Sequence, residues 1–247
     1  MKALVLAAGE GTRLRPHTAD RPKPMVPIAG VPVIDFALAW LSRHGVSDVA
    51  INLHYKPESL VAHVGSGEQF GLRVTYSHEA ELLGSAGALR PLQEYFSSAP
   101  EFVVLYGDIL TDFDLRKAVE RHRSARADLT IVLTTVDDPT RAGIVEVDAD
   151  DRVRRFVEKP APNEVFSSWA NAGVYVCGPR VLEFVPDAQP RDFGRHVIPA
   201  MLKDDSLVLG VRTDALVVDI GSPERMNEAS LLARRGAFGP LPANSSC

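Results

Sequence analysis

Cysteine is scarce in this 247-residue chain, where only Cys177 and Cys247 occur, far apart and at no metal-ligand spacing to any histidine. A disulfide framework and a cysteine-based zinc site are thereby excluded, and a reducing, cytoplasmic setting is expected. Long apolar runs are missing as well. The start Leu4-Val5-Leu6-Ala7-Ala8 breaks at Gly9-Glu10, too soon for a signal-peptide core or a membrane span, so the N-terminus is expected to belong to the folded protein. There is no block of like charge. With 27 Lys+Arg against 32 Asp+Glu the net charge is −5, which excludes the broad basic face that nucleic acid demands. Neither nucleic acid nor membrane is an expected partner. What is present, 45% hydrophobic residues in a chain of this length, is enough to bury a continuous core without staples.

Short Val-, Ile- and Leu-rich runs recur between stretches of helical periodicity, the pattern of βαβ units around a buried sheet. Strands are predicted at 3–8, 49–55, 72–77, 102–107, 129–136 and 172–176. Helices are predicted where Ile34, Ala37, Leu38 and Leu41 run toward Gly45, and near 89–96, 114–124 and 194–202. From Gly143 the pattern changes. Residues 144–148 and 153–157 alternate across an Asp-rich turn like a hairpin, a second hairpin is expected over 207–218, and a closing helix over 222–235. The expected fold class is α/β: a Rossmann-like, mixed central sheet flanked by helices, with a small β-hairpin subregion. One domain is expected over 1–235, with halves at about 1–140 and 141–221, and a loose tail at 236–247.

The first strand runs into Gly9-Glu10-Gly11-Thr12-Arg13-Leu14, a glycine turn at the carboxyl end of a parallel strand, where ligands of open α/β sheets bind. A dinucleotide fingerprint needs a third glycine where Leu14 stands, and a Walker loop needs Gly-Lys-Ser/Thr; neither is present. A tight turn without a ligand explains a bare G-x-G equally well. The following residues favour phosphate, because Arg13, Arg15, Arg21 and Lys23 share one segment and prolines on both sides restrain Lys23. Amide donors, a guanidinium fork and a fixed ammonium together suit a triphosphate.

The run Leu6-Ala7-Ala8-Gly9-Glu10-Gly11-Thr12-Arg13-Leu14-Arg15-Pro16, followed by Arg21-Pro22-Lys23-Pro24-Met25-Val26-Pro27, resembles the signature of the sugar-1-phosphate nucleotidyltransferases. Within that family it is most similar to mannose-1-phosphate guanylyltransferases. The resemblance implies a glycosyltransferase-A-like fold, with Leu6, Ala8, Gly9, Gly11, Thr12, Arg13 and Lys23 on the nucleotide. It covers the chain as far as the closing helix.

Tyr106-Gly107-Asp108 and Val217-Val218-Asp219 each deliver an acid at the end of an apolar strand. Two carboxylates in one crevice suit Mg²⁺, which prefers oxygen ligands, although a helix cap is the plainer use of a single strand-end aspartate. The resemblance implies that both Asp108 and Asp219 bind the metal. Phe156-Val157-Glu158-Lys159-Pro160 resembles the family's Glu-Lys-Pro motif, which implies Glu158 on sugar hydroxyls and Lys159 on the sugar phosphate. Gly143 and Asn171 match its other sugar contacts. The segment His78-Glu79-Ala80-Glu81-Leu82-Leu83-Gly84-Ser85-Ala86-Gly87 resembles a guanylyltransferase stretch, with Leu82 for proline and Ser85 for threonine. That likeness implies Glu81 accepting from the paired N–H donors of guanine, and Gly84 letting the backbone approach the base.

The implied reaction joins a nucleoside triphosphate, GTP first, to a sugar 1-phosphate and releases pyrophosphate, with Mg²⁺ as cofactor and Arg13, Lys23 and Asp108 as catalytic residues. A phosphate oxygen is already anionic at neutral pH, so no side-chain nucleophile is required, and the chain carries no GxSxG elbow and no zinc-spaced His pair. Another nucleotide (dTTP, UTP, ATP), another sugar or cyclitol phosphate, and a homodimer stay open. So do an inactive regulatory homologue and a dinucleotide-binding enzyme. The length is expected to leave no room for the left-handed β-helix that many longer relatives carry.

Overall fold

The computed structural model describes residues 1–187 and 191–241; Cys247 lies outside them. In chain order the elements begin with β1 (Lys2–Leu6), β2 (Pro27–Ile28), β3 (Val31–Pro32), α1 (Val33–Arg43), β4 (Asp48–Leu53), α2 (Glu58–Val64) and β5 (Arg73–His78). Then come α3 (Gln93–Ser97), β6 (Phe102–Tyr106), β7 (Ile109–Thr111), α4 (Leu115–Ala125) and β8 (Leu129–Thr135). The remainder is β9 (Gly143–Val147), β10 (Val153–Glu158), β11 (Trp169–Cys177), α5 (Ile198–Lys203), β12 (Val208–Arg212), β13 (Val217–Asp219) and α6 (Pro223–Arg234). The predicted α/β class and the first hairpin are present. Two compact units form: Met1–Leu82 with Leu105–Phe113 and Leu216 onward, and Leu83–Val104 with Asp114–Ala215.

In the first unit β1, β4 and β5 are parallel, with Leu6 opposite Asn52 and Asn52 opposite Ser77. Leu4 and Val5 of β1 and Val49, Ile51 and Leu53 of β4 are buried, as central parallel strands covered on both faces must be, whereas β5 is largely exposed and only Ser77 is buried. Helix α1 is buried from Val33 to Leu41, and the Trp40 Nε1–H donates to the Phe113 carbonyl (2.9 Å). The short ribbon β7–β13 is antiparallel, and Leu110, Val218 and Ile220 pack with Leu14, Val26 and Phe36 in one apolar cluster.

In the second unit β11 is antiparallel to β8 and β9, β10 is antiparallel to β9, and β12 is parallel to β8. The register of β11 shifts between Asn171 and Tyr175, where Gly173 takes φ +72°. Such an irregularity re-aims a side chain. Helix α4 starts at a true cap, with the Asp114 carboxylate accepting from Arg116 N–H, and buries Leu115, Ala118, Val119 and His122.

Four expectations need correction. Residues 207–218 do not form a hairpin, because β12 pairs with β8 while β13 pairs with β7. The backbone groups of each segment are taken up by other partners, and the intervening turn is tied down by Thr213 N–H to Leu133 O (2.9 Å) and Thr111 Oγ1–H to Leu216 O (2.7 Å). The predicted helix at 89–96 opens as a 3₁₀ turn over Gly87–Leu92, with Pro91 denying an amide to a regular ladder, and the one at 194–202 opens as a π turn over Phe193–Val197. The part of the tail at 236–241 is packed rather than loose. Phe238 is buried edge-on against Phe36 (6.0 Å between ring centroids), and the Arg43 guanidinium donates to the carbonyls of Phe238 (2.7 Å) and Pro240 (2.6 Å). The rest of that tail lies outside the described residues.

Candidate active site

In the first unit, β1 ends at Leu6, and the chain then runs through buried Ala7 and Ala8 into exposed Gly9 and the turn at Gly11. Gly11 has φ +63°, and a Cβ there would lie 2.9 Å from Thr18 Cγ2 and 3.1 Å from Lys23 Cβ. Only glycine allows this turn to lie directly against the stem of Lys23. Thr18 Oγ1–H donates to Gly11 O (2.8 Å), which fixes the far side of the loop.

Lys23 opens a short 3₁₀ turn between Pro22 and Pro24 and is 8% exposed, low enough that its ammonium needs partners. It finds two. Its Nζ is bonded to Asp108 Oδ2 and lies 3.3 Å from Asp219 Oδ1. The β7–β13 ribbon brings the acids together, since Asp219 is opposite Ile109 and Ile220 N–H donates to Asp108 O (3.1 Å). Burial alone lowers the Lys23 pKa, but the Asp108 and Asp219 charges overcome it, so the ammonium is held above its ordinary value. The Asp219 carboxyl is pushed up by burial and by the Asp108 charge, against the pull of Lys23 and Arg13.

Two carboxylates that share one cation are an all-oxygen donor set, and among the described residues no third His, Cys, Asp or Glu joins them. That set fits Mg²⁺, which is commonly held by one or two carboxylates with substrate phosphates and water completing the shell.

The other cations of the segment are less buried than Lys23. Arg13 and Thr12 lie exposed on the 3₁₀ turn after Gly11, and Arg13 acts on Asp219 through its charge. Arg21 pairs with its neighbour Asp20 (3.1 Å). Glu81 is exposed near the end of this unit's first stretch of chain. Sequence reasoning missed Asn52. Its Oδ1 accepts from Ala7 N–H (2.7 Å) and its Nδ2 donates to Glu79 Oε1 (2.8 Å), so a buried polar bridge anchors the residue that leads into the glycine turn. The signal was available, because an asparagine inside the apolar run Val49–Leu53 needs a buried partner. Asn52→Ala strands the Ala7 amide and is expected to cost about 1–3 kcal/mol in urea unfolding.

The second unit holds the remaining residues. Glu158 ends β10 with its Oε2 against two glycines: a Cβ would fall 2.6 Å from it at Gly143 and 2.5 Å from it at Gly194. Burial raises the Glu158 carboxyl above its ordinary value, with Lys159 and Arg195 pulling the other way. Lys159 follows in a left-handed conformation (φ +52°), its N–H donating to Ala142 O (3.0 Å) and its side chain exposed. Asn171 Oδ1 accepts from Gly173 N–H (3.0 Å) and its Nδ2 donates to the Tyr175 hydroxyl. Gly84 has φ +84°, with its Cα packed on the Arg191 backbone. Thus Lys23, Asp108 and Asp219 converge in one unit, and Gly143, Glu158, Lys159 and Asn171 all belong to the other.

The profile of the family described as Nucleotidyl transferase matches residues 2–235. The chain belongs to that family. Among curated relatives of this nucleotidyl transferase, a UTP–glucose-1-phosphate uridylyltransferase of Synechocystis is 37% identical over 233 residues, covering 90% of this chain and 60% of its own length. A mannose-1-phosphate guanylyltransferase of Mycobacterium tuberculosis is 36% identical over 245 residues, covering 98% of this chain and 66% of its own. This chain therefore spans about two thirds or less of the length of those two relatives. Among solved structures, HddC from Yersinia pseudotuberculosis complexed with GMP-PN superposes with a TM-score of 0.77 at 30% identity, covering 93% of this chain and 98% of that one. The mixed α/β fold is that of the nucleotidyl transferases. Among the described residues no helix is long and apolar enough to cross a membrane.

Proposed function

We propose that the protein transfers a nucleoside monophosphate from a nucleoside triphosphate to a sugar 1-phosphate, with GTP and mannose 1-phosphate as its first candidates. The observation that carries this reading is the Lys23–Asp108–Asp219 centre, an ammonium and two carboxylates drawn from three distant segments beside a glycine turn. In this account an oxygen of the sugar phosphate attacks the α-phosphorus while the bond to the β-phosphate bridge breaks, and pyrophosphate leaves. Lys23 neutralises the reacting phosphate, Arg13 the departing pyrophosphate, and the amides from Gly9 to Thr12 face phosphate oxygens. Asp108 and Asp219 hold a divalent cation, which when bound neutralises further phosphate charge. Glu158 and Asn171 take the sugar hydroxyls, Gly143 leaves room for Glu158, and Lys159 binds the sugar phosphate. Leu6, Ala8 and Gly84 line the nucleotide with backbone.

The guanine assignment rests on Glu81, which can accept from both donors of the guanine N1/N2 edge, and it accords with the GMP-PN in the Yersinia structure. Glu81→Gln is expected to lower the preference for GTP over UTP and dTTP about tenfold, the worth of one charge-assisted hydrogen bond. An unchanged ranking removes Glu81 from that role. The uridylyltransferase relative makes UTP with glucose 1-phosphate the second pair to test. Phosphorus NMR of a mixture of enzyme, GTP, mannose 1-phosphate and Mg²⁺ should show the two coupled resonances of a sugar diphosphate nucleotide. Orthophosphate alone would contradict the reading.

A further inference from the structure

One short turn of the second unit touches the base loop at Leu83–Gly87 and two of the strands that carry the proposed sugar contacts. The Arg191 carbonyl accepts from Ala86 N–H (2.8 Å) and Gly87 N–H (3.0 Å), and Arg191 N–H donates to Leu83 O (3.3 Å). The next residue repeats the hold through its side chain: Asp192 Oδ1 accepts from both Ser85 N–H and Ser85 Oγ–H (3.2 Å each). Ser85 Oγ in turn accepts from Phe193 N–H (3.0 Å), which closes a reciprocal clamp. Phe193 is fully buried and stacks on Tyr175 (4.8 Å, 16°), whose hydroxyl meets Asn171. Gly194 lies against Glu158 Oε2 so closely that no side chain fits between them.

The turn is therefore anchored on one side to Leu83–Gly87 and on the other to Asn171 and Glu158. Its backbone is also unusual, for Phe193–Val197 is a π turn, with Asp192 N–H donating to His196 Nδ1 (3.0 Å) and Asp192 O accepting from His196 N–H (3.0 Å). π turns insert a residue that a regular helix would not hold, and they recur at functional sites. Here the insertion is what allows Phe193 and Gly194 to face two different strands while Asp192 still reaches Ser85.

We propose that the Arg191–Gly194 turn couples the base loop to the sugar pocket, with Ser85 and Asp192 as positioning residues whose clamp sets where Glu158 and Asn171 stand. This rests on the reaction proposed above for the same site. Losing the Ser85 hydroxyl loosens Phe193 and Asp192 but leaves the Arg191 backbone bonds in place, so the effect is graded. Ser85→Ala is expected to raise KM for the triphosphate and for the sugar 1-phosphate alike by about tenfold, while kcat stays within about threefold. Ser85→Thr, which keeps the hydroxyl, restores both constants. Asp192→Asn, which keeps the Oδ1 acceptor, stays close to the unmutated protein, and Asp192→Ala matches Ser85→Ala.

A rise in the triphosphate KM alone overturns the coupling, as does equal failure of Ser85→Ala and Ser85→Thr. A second readout needs no turnover. Hydrogen exchange of the unliganded protein should be faster in Ser85→Ala both at 191–197 and at 154–158, and an unchanged rate at 154–158 overturns the proposal even if the substrates prove to be others. Absence of pyrophosphate release from the unmutated protein would instead contradict the reaction itself, and the exchange experiment would still decide the coupling.

Discussion

Lys23→Ala should reduce kcat about 10³-fold while the far-ultraviolet circular dichroism is retained, the loss expected when a preorganised charge aimed at the reacting phosphate is removed. Lys23 is 8% exposed and bound to two carboxylates, so it is already in place before substrate arrives and spends little on reorganisation. The variant also leaves Asp108 and Asp219 facing each other without their shared cation. Their side chains keep 27% and 52% of their exposure, so water and protonation can relieve the repulsion, which is why folding is expected to survive. Asp108→Asn tests the same centre from the other side: it keeps the shape, lacks the charge, and is expected to lose a comparable factor. Steady-state pyrophosphate release measures both, and activity within a fewfold of the unmutated protein in either would remove the centre from the mechanism.

Glu158→Gln is expected to separate function from stability. The sugar pocket should lose about 10- to 100-fold in kcat/KM for the sugar phosphate, because one charge-assisted hydrogen bond is worth about 1.5–3 kcal/mol. Stability should move the other way. Folding raises the Glu158 carboxyl above its ordinary value of 4.5, chiefly by burial, so the folded chain holds that proton more tightly than the unfolded one. Its contribution is full below pH 4.5 and is lost as the pH climbs through the raised value, leaving a buried charge that costs stability at pH 7. The glutamine variant should therefore melt at the same or a higher temperature at pH 7, with a shallower fall between pH 4.5 and 7. A lower melting temperature across that range would show that the carboxylate holds the fold rather than awaiting a substrate.

Several parts of the site were legible in the sequence for identifiable reasons. Lys23 stood out because prolines on both sides leave its backbone little freedom, and Asp108 because it closes the run Phe102–Tyr106, which is too apolar to be anything but a buried strand. Asp219 was found by the same rule, yet the reason the two acids meet was not visible. The β7–β13 ribbon has three residues on each side, too few to show an alternation, and it borrows its partner across more than a hundred residues. The supposed hairpin at 207–218 failed on the same point, since pairing is a property of whole sheets and periodicity reports only one strand.

Other misses trace to context. Gly236-Ala237-Phe238-Gly239 reads as linker, but a single phenylalanine and the reach of Arg43 are enough to pack it. Asn52 shows by its place in an apolar run that it needs a buried partner, but that partner lies 45 residues away, and the Arg191–Gly194 turn acts through a contact 107 residues away, which no local pattern identifies. Arg21 shares a segment with Lys23 and pairs with its exposed neighbour Asp20, a contact that the run of charges did not show. Charge counting along a loop cannot tell which side chains turn inward.

The central claim is nucleotidyl transfer to a sugar 1-phosphate at the Lys23–Asp108–Asp219 centre. The most direct measurement is pyrophosphate release across five nucleoside triphosphates and a panel of sugar 1-phosphates, each with Mg²⁺ and again with a chelator. The account predicts release that requires both substrates, is strongest with GTP and mannose 1-phosphate, and stops on chelation. Release that proceeds without any sugar phosphate, or that survives the chelator undiminished, would contradict it.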